Sequence, residues 1–155
     1  MTAMLISQSL LDEVSLEAAA SPRRRKNRNF HKTNEDRAHR LLNAMEPDSY
    51  VMPHRHLDAA KDETIVVLRG RFGLVLFDER GQVASTAVLG GGDVLGVDIP
   101  HGTFHSLVAL EPGSVFFEAK AGPYVAISEG ERAAWAPAEG TPEATGYLEK
   151  MRALF

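Results

Sequence analysis

The chain has 155 residues, of which 44% are hydrophobic and 25% are charged, and its formal net charge is −4. This length allows one domain with a full hydrophobic core, and the composition is typical of a globular protein rather than a disordered one. The chain has no cysteine, which excludes disulfides and thiolate ligands, so any metal must be held by nitrogen and oxygen atoms. No apolar run approaches the roughly 20 residues that cross a bilayer, and we expect a soluble, cytoplasmic protein without a membrane partner.

Residues 1–46 contain a predicted helix and a basic segment. Ser9 is placed to cap a helix from Leu10 to Ala20. The basic segment, RRRKNRNFHK at 23–32, is predicted to be loop or extended chain and holds six of the seventeen lysines and arginines of an otherwise acidic chain. It could be a nucleic-acid arm, a solvated charge run or a grip for an anion. Because Phe30 is its single aromatic residue, we expect no nucleic-acid partner.

Residues 47–122 carry short β-type runs separated by turn residues. The runs are YVMPHRH, TIVVLRG, RFGLVLFDERG, VASTAVL, DVLGVDIP, FHSLVAL and SVFFEAK. Their close spacing predicts a mainly β sandwich or barrel of antiparallel strands. The central runs are apolar on both faces, so a helix, a second subunit or both should cover the outer face.

Residues 123–155 form a predicted C-terminal extension. Thr141 and Pro142 read as the N-cap and first residue of a helix, with Glu143 in its first turn. We therefore expect the three segments to build one structural domain.

Two histidines lie one residue apart in the run PHRH. Alternate residues of a strand point to the same face, about 6.5 Å apart, so His54 and His56 could share one ion. Glu63 opens the next run, and His105 opens another after the turn PHGTFH. Three imidazoles and one carboxylate would hold one divalent transition metal (Fe, Zn, Mn, Ni or Cu) and leave positions for water, substrate or dioxygen. The alternative is that these are ordinary core or surface histidines.

The same residues resemble the two signature motifs of the cupin superfamily. The first motif comprises His54, His56, Glu63 and Gly70, and the second comprises Pro100, Gly102 and His105. The segments RKNRNFH, PHRH, VVLRG, VALEPG, FEAKAGPY and WAPAEG resemble WbuC-type cupins, from about residue 5 to residue 148. The resemblance implies a single-domain cupin β-barrel, a double-stranded β-helix or jelly roll, with short terminal helices and with these three histidines and Glu63 on the metal. Six residues separate His56 from Glu63 instead of the usual three or four, so Asp62 is an alternative ligand.

Further residues are expected around the metal. The resemblance implies that four residues of the basic segment lie at or near the pocket. The candidate substrate-binding residues are Arg25, Asn27, Asn29, His31, Lys120 and Tyr124. Glu118 is the candidate catalytic residue, because burial would raise the pKa of its carboxyl into the range of a general base. A salt bridge between Glu118 and Lys120 or an arginine is the alternative.

WbuC-type cupins are associated by name with surface-polysaccharide biosynthesis. We expect a homodimer that acts on an anionic small molecule, such as a sugar or sugar nucleotide, with isomerase-like or epimerase-like chemistry as the first choice. An Fe(II)-dependent oxygenase is the alternative enzyme. A non-catalytic module that binds a small molecule or senses a metal is the alternative of another class.

Overall fold

The computed structural model describes residues 3–155, and these residues form two α-helices, one short 3-10 helix (Glu129–Glu131) and eight strands. The α-helices are α1 (Gln8–Ala20) and α2 (Pro142–Arg152). The strands are β1 (Arg25–Asn29), β2 (Ala38–Met45), β3 (Glu63–Arg69), β4 (Phe72–Phe77), β5 (Val83–Leu89), β6 (Gly96–Ile99), β7 (Phe104–Ala109) and β8 (Ser114–Ala121). No helix in this part of the chain is long and apolar enough to cross a membrane.

The strands form two antiparallel sheets around a shared apolar core. One sheet has the order β1-β2-β8-β3-β6 and the other has the order β5-β4-β7. Residues of both sheets meet in the core, where the rings of Phe72 and Phe116 pack edge to face with their centroids 5.1 Å apart. The predicted mainly β barrel with short terminal helices is therefore confirmed.

The two helices cover the outer faces of the sheets. Helix α1 lies on the five-stranded sheet, where Val14 is fully buried with Leu42 and Val115. Helix α2 lies on the three-stranded sheet, where Leu148 joins the cluster that contains Val75. These contacts cover the outer faces of β8 and β4, but Val66 and Leu68 on the outer face of β3 stay 38% and 37% exposed, so the helical cover that the sequence required is present only in part.

Three local predictions differ from the structure. The cap of α1 is Ser7 rather than Ser9: Ser7 has an extended backbone, and its hydroxyl accepts a hydrogen bond from Leu10 N at 3.3 Å. Part of the basic segment is the edge strand β1, in keeping with the predicted extended chain, but β1 and β2 both precede residue 47, where the predicted β-type runs begin. The run YVMPHRH forms no regular strand, and His54 makes only isolated bridges.

Gly70 makes the turn between β3 and β4 possible. Its φ of +72° lies in the left-handed region that glycine adopts at no steric cost. A Cβ at this position would lie 2.2 Å from Ser114 Oγ. Glycine is therefore required where the chain passes from one sheet to the other.

Candidate metal centre

Backbone pairing brings two distant histidines side by side. His54 N donates to His105 O at 3.1 Å, and His105 N donates to His54 O at 2.9 Å. Glu63, the first residue of β3, pairs with Ile99 on β6 and with Lys120 on β8. The segment before β3 and the beginnings of β3 and β7 therefore meet at one place in the barrel.

The four predicted metal ligands lie together at this place. Ligand atoms of His54, His56 and Glu63 all lie within 4.8 Å of one another and could hold a metal ion. His56 Nε2 lies 3.1 Å from Glu63 Oε1, and His105 Nε2 lies 3.0 Å from Glu63 Oε2. The ring centroids of His54 and His105 are 4.7 Å apart. Ligation itself stays a prediction: His54, His56 and Glu63 are close enough to share one ion, and His105 lies against the same Glu63 carboxylate.

Backbone carbonyls orient two of the imidazole rings. Met52 O lies 3.0 Å from His54 Nδ1, and Thr103 O lies 2.9 Å from His105 Nδ1. Metal-bound histidines usually donate their second ring N–H to such an acceptor, which leaves the other nitrogen free to ligate. Burial, reinforced by His105, lowers the pKa of His54 to about 3. His54 is therefore neutral near pH 7, as a ligand must be.

Counting protons at His105 tests whether the site fits a cation. A neutral imidazole carries one N–H, yet both nitrogens of His105 face acceptors, Thr103 O and Glu63 Oε2. When Nδ1–H donates to Thr103, the Nε2 lone pair faces a carboxylate oxygen. That contact requires a second proton or a cation between the two atoms. A divalent ion would accept both lone pairs, so the nitrogen and oxygen donors fit a transition metal.

Glu63 is held as an anion. Burial by itself would raise the pKa of its carboxyl, but hydrogen bonds with His105 and His56 and the charge of Lys120 keep that pKa well below its usual range. Metal ligation requires the deprotonated carboxylate. Glu63 is thus prepared to receive a cation.

Asp62 points away from the metal cluster, by which we mean His54, His56, Glu63 and His105. Its Oδ1 lies 2.8 Å from His101 Nδ1 and also accepts a hydrogen bond from His101 N. Both side chains are about half exposed. Of the two neighbouring carboxylates, Glu63 is therefore the one directed at the histidines.

A second charged group lies beside the cluster. The Lys120 ammonium is 2.8 Å from Glu63 Oε1 and 2.7 Å from Glu118 Oε1, and Asn43 donates to Glu118 Oε2 at 2.7 Å. The Lys120 contact with Glu118 Oε1 lacks hydrogen-bond geometry, so this buried oxygen has no hydrogen-bond partner within residues 3–155. Burial raises the pKa of the Glu118 carboxyl, and Lys120 opposes that rise.

Two cavities meet at these side chains. The smaller, of about 150 Å³, is lined by three of the predicted metal ligands, His54, Glu63 and His105, and the larger is about 380 Å³. Both are lined by Asn43, Glu118 and Lys120. Of the candidate substrate residues, the smaller cavity is lined by Arg25 and Lys120, and the larger by Asn27, Asn29, His31, Lys120 and Tyr124. The structure thus gathers all six around one space, and their role in binding stays a prediction.

Arg25 already has protein partners. Its guanidinium donates to Glu139 Oε2 at 2.8 Å and to Tyr50 O at 2.9 Å. Arg23 also forms a two-pronged ion pair with Glu139. Part of the positive charge predicted to grip an anion is therefore neutralised by Glu139.

Two polar residues at the site, Asn43 and Glu139, were not among those predicted from the sequence. Asn43 faces inward on β2 between Leu41 and Met45, so alternation along the strand could have found it. Glu139 lies in an irregular segment more than a hundred residues from its arginine partners. Local sequence carries no signal for that contact.

Solved structures define the class of protein. KdgF from a Halomonas species superposes with a TM-score of 0.52 at 23% identity, over 68% of this chain and 84% of KdgF. SPY1581 of Streptococcus pyogenes, a protein of unknown function, gives 0.53 at 11%, over 81% and 92%. CapF, solved with the inhibitor 3-isopropenyl-tropolone, gives 0.54 at 21%, over 67% of this chain and 29% of CapF. The barrel is a cupin fold.

A family model identifies the chain more closely. The model of a domain of unknown function, DUF6016, matches residues 6–89, which is more than half of the chain. The chain belongs to this family. No curated protein matches it.

Proposed function

We propose that this protein is a WbuC-type cupin that binds one divalent transition metal through His54, His56, Glu63 and His105. The observation that carries the proposal is the convergence of three imidazoles and one anionic carboxylate, with a contact at His105 that a cation would satisfy. The substrate would be an anionic small molecule, such as a sugar or sugar nucleotide used in surface-polysaccharide biosynthesis. When bound, the metal would polarise an oxygen of the substrate.

The side chains around the cluster suit isomerisation or epimerisation. Both reactions move a proton next to a carbonyl or similar group, which requires a base. Glu118 is the proposed base, since its Oε1 is buried, accepts no hydrogen bond within residues 3–155 and borders both cavities. Lys120 would orient the anionic group of the substrate.

Elemental analysis tests the metal site. We expect about one metal per chain in protein purified without chelator or affinity nickel, and loss of that metal in His54→Ala and in His105→Ala. His101→Ala is the matched control, because His101 contacts Asp62 outside the cluster. Equal metal in the parent and in all three variants would contradict the proposal.

Turnover tests the chemistry. In D₂O, sugar nucleotides that are epimerised should take up deuterium at the reacting carbon, detected by ¹H NMR. Glu118→Gln should slow this exchange by about 10²–10⁴-fold. An unchanged rate would remove the role of Glu118. Oxygen consumption by the Fe(II) form would instead support the oxygenase.

One observation favours a non-catalytic binding module. The Lys120 ammonium lies within 2.8 Å of both Glu63 and Glu118, so a cation already engages each carboxylate. A ligand that raises the melting temperature without turnover under any metal would support this reading.

We also propose that the protein is a cytoplasmic homodimer without a nucleic-acid partner. Val66 and Leu68 on the outward face of β3 are 38% and 37% exposed, and a second copy could cover them. Light scattering after size exclusion should give twice the 16.9 kDa chain mass. A single-chain mass would contradict the dimer.

A further inference from the structure

All the asparagines of the chain line one cavity. The chain has four, Asn27, Asn29, Asn34 and Asn43, and each borders the 380 Å³ cavity beside the metal cluster. Asn27 on β1 lies directly opposite Asn43 on β2, and Asn27 Nδ2 donates to Asn29 Oδ1 at 2.7 Å. They come from two strands and a loop. Because every asparagine of the chain lies at this one surface, the wall of the cavity is rich in side-chain amides.

An amide wall selects a particular ligand chemistry. Each asparagine offers two donors and one acceptor without charge, which matches hydroxyl groups, since a hydroxyl also both donates and accepts. No arginine within residues 3–155 lines this cavity, and Lys120 stands at its junction with the smaller cavity, where the proposed function places the anionic group. The wall therefore suits a neutral polar group better than an anion.

A buried oxygen at the junction of the two cavities, Glu118 Oε1, lies 2.7 Å from the Lys120 ammonium but accepts no hydrogen bond within residues 3–155. Glu118 is only 8% exposed. Buried polar atoms are nearly always paired, so an unpaired one calls for a missing partner. A ligand hydroxyl in the asparagine-lined cavity would supply the donor.

We infer that the asparagine-lined cavity binds the hydroxyl-rich, uncharged part of the ligand, a polyol chain or a sugar ring. The anionic group of the same ligand lies in the smaller cavity beside the cluster, a placement that rests on the proposed function. One hydroxyl donates to Glu118 Oε1, and others exchange hydrogen bonds with the asparagine amides. The ligand class is thus a polyhydroxylated carboxylate or phosphate.

The side-chain amides themselves report binding. The chain has two glutamines, Gln8 and Gln82, and neither lines the cavity. The ¹⁵N spectrum of side-chain NH₂ groups therefore contains four asparagine signals from the cavity and two glutamine signals that serve as internal controls. The ¹⁵N-labelled protein is loaded with diamagnetic Zn²⁺ and titrated with gluconate. A parallel titration uses hexanoate, a carboxylate of equal chain length without hydroxyls. Gluconate should shift the four asparagine signals and leave both glutamines in place. Hexanoate should shift at most Asn43, which also lines the smaller cavity, and leave Asn27, Asn29, Asn34 and both glutamines in place.

The affinity of a single-residue variant tests the same inference quantitatively. Asn29 is exposed on the edge strand, so Asn29→Leu should keep the fold. Its affinity for gluconate should fall about fivefold, the effect of one net hydrogen bond, while hexanoate binding is unchanged. Gln82→Leu, which removes an amide from a distant turn, should bind both carboxylates as the parent does.

The outcomes separate the two proposals. If gluconate shifts the backbone signals of His54 and His105 but not the asparagine amides, this inference is overturned and the anionic ligand survives. Equal affinity for gluconate and hexanoate, or glutamine shifts as large as the asparagine shifts, also overturns it. If neither carboxylate shifts any signal, the inference and the proposed anionic ligand fail together, while elemental analysis still decides the metal site.

Discussion

Replacing Lys120 by methionine should destabilise the metal-free protein and make its stability depend more strongly on added metal. The Lys120 side chain is 23% exposed, and those of its partners Glu63 and Glu118 are 5% and 10% exposed. Burial by itself would lower the pKa of the ammonium, but the two carboxylates outweigh burial and raise that pKa, so the group is charged. Without it, two carboxylates share a buried site with no cation between them.

The size of the effect follows from these contacts. At 2.8 Å and an effective dielectric constant of about 20, one contact is worth roughly 6 kcal/mol of Coulomb energy before desolvation. Desolvation of the three groups offsets most of this, and removal of one partner from a buried pair costs about 3–5 kcal/mol. For a chain of this length, the melting temperature should fall by about 6–20 °C. A divalent metal returns positive charge to the same carboxylates and should restore most of the loss.

Urea unfolding followed by circular dichroism, with EDTA and with Zn²⁺, measures both parts of the prediction. Lys61→Met is the matched control: Lys61 is also buried, but its ammonium donates to Pro123 O at 2.6 Å. Any loss in that variant should be the same with either additive. The reasoning is refuted if Lys120→Met is as stable as the parent in EDTA, or if Zn²⁺ rescues the two variants equally.

Two further predictions concern charge and packing. A hydrogen bond from Arg23, more than any other contact, lowers the pKa of the Glu139 carboxyl from 4.5 to about 2, so this group contributes stability above pH 4.5 that is lost as the pH falls towards 2. Glu139→Gln should lower the free energy of unfolding by about 1 kcal/mol at pH 7 after solvent screening. Urea unfolding should show this difference between parent and variant shrinking as the pH falls from 4.5 towards 2, and a difference that stays constant would contradict the ion pair. Gly96→Ala should cost about 1–3 kcal/mol in the same assay, since its Cβ would lie 2.1 Å from Ile65 O, whereas Gly92→Ala, with open space around it, should match the parent.

Much of the barrel follows from local pattern. Strands β3 to β8 lie within runs of apolar residues bounded by turn residues, and Thr141 and Pro142 mark the beginning of α2. These signals act within a few residues, so they can be recognised in the sequence alone. Strand β1 (Arg25–Asn29) has no apolar residue and forms because β2 offers its edge, so no local pattern could predict it.

The candidate site divides in the same way. The spacing of His54 and His56 and the turn before His105 made these residues metal-ligand candidates from sequence alone. Whether Glu63 or its neighbour Asp62 joins them depends on which of two adjacent side chains points inward. Strand register decides this, because a shift of one residue turns every side chain to the opposite face.

The sequence by itself determined the chemistry available to this protein: nitrogen and oxygen donors, a basic segment and apolar runs long enough for a barrel. The tertiary structure alone decided that Lys120 lies between Glu63 and Glu118 and that every asparagine borders one cavity. Those arrangements bring separate elements together: Lys120 and Glu63 are 57 residues apart in the chain, and the asparagines lie on two strands and a loop. They exist only once strand pairing has set which faces meet, and no local propensity encodes that pairing.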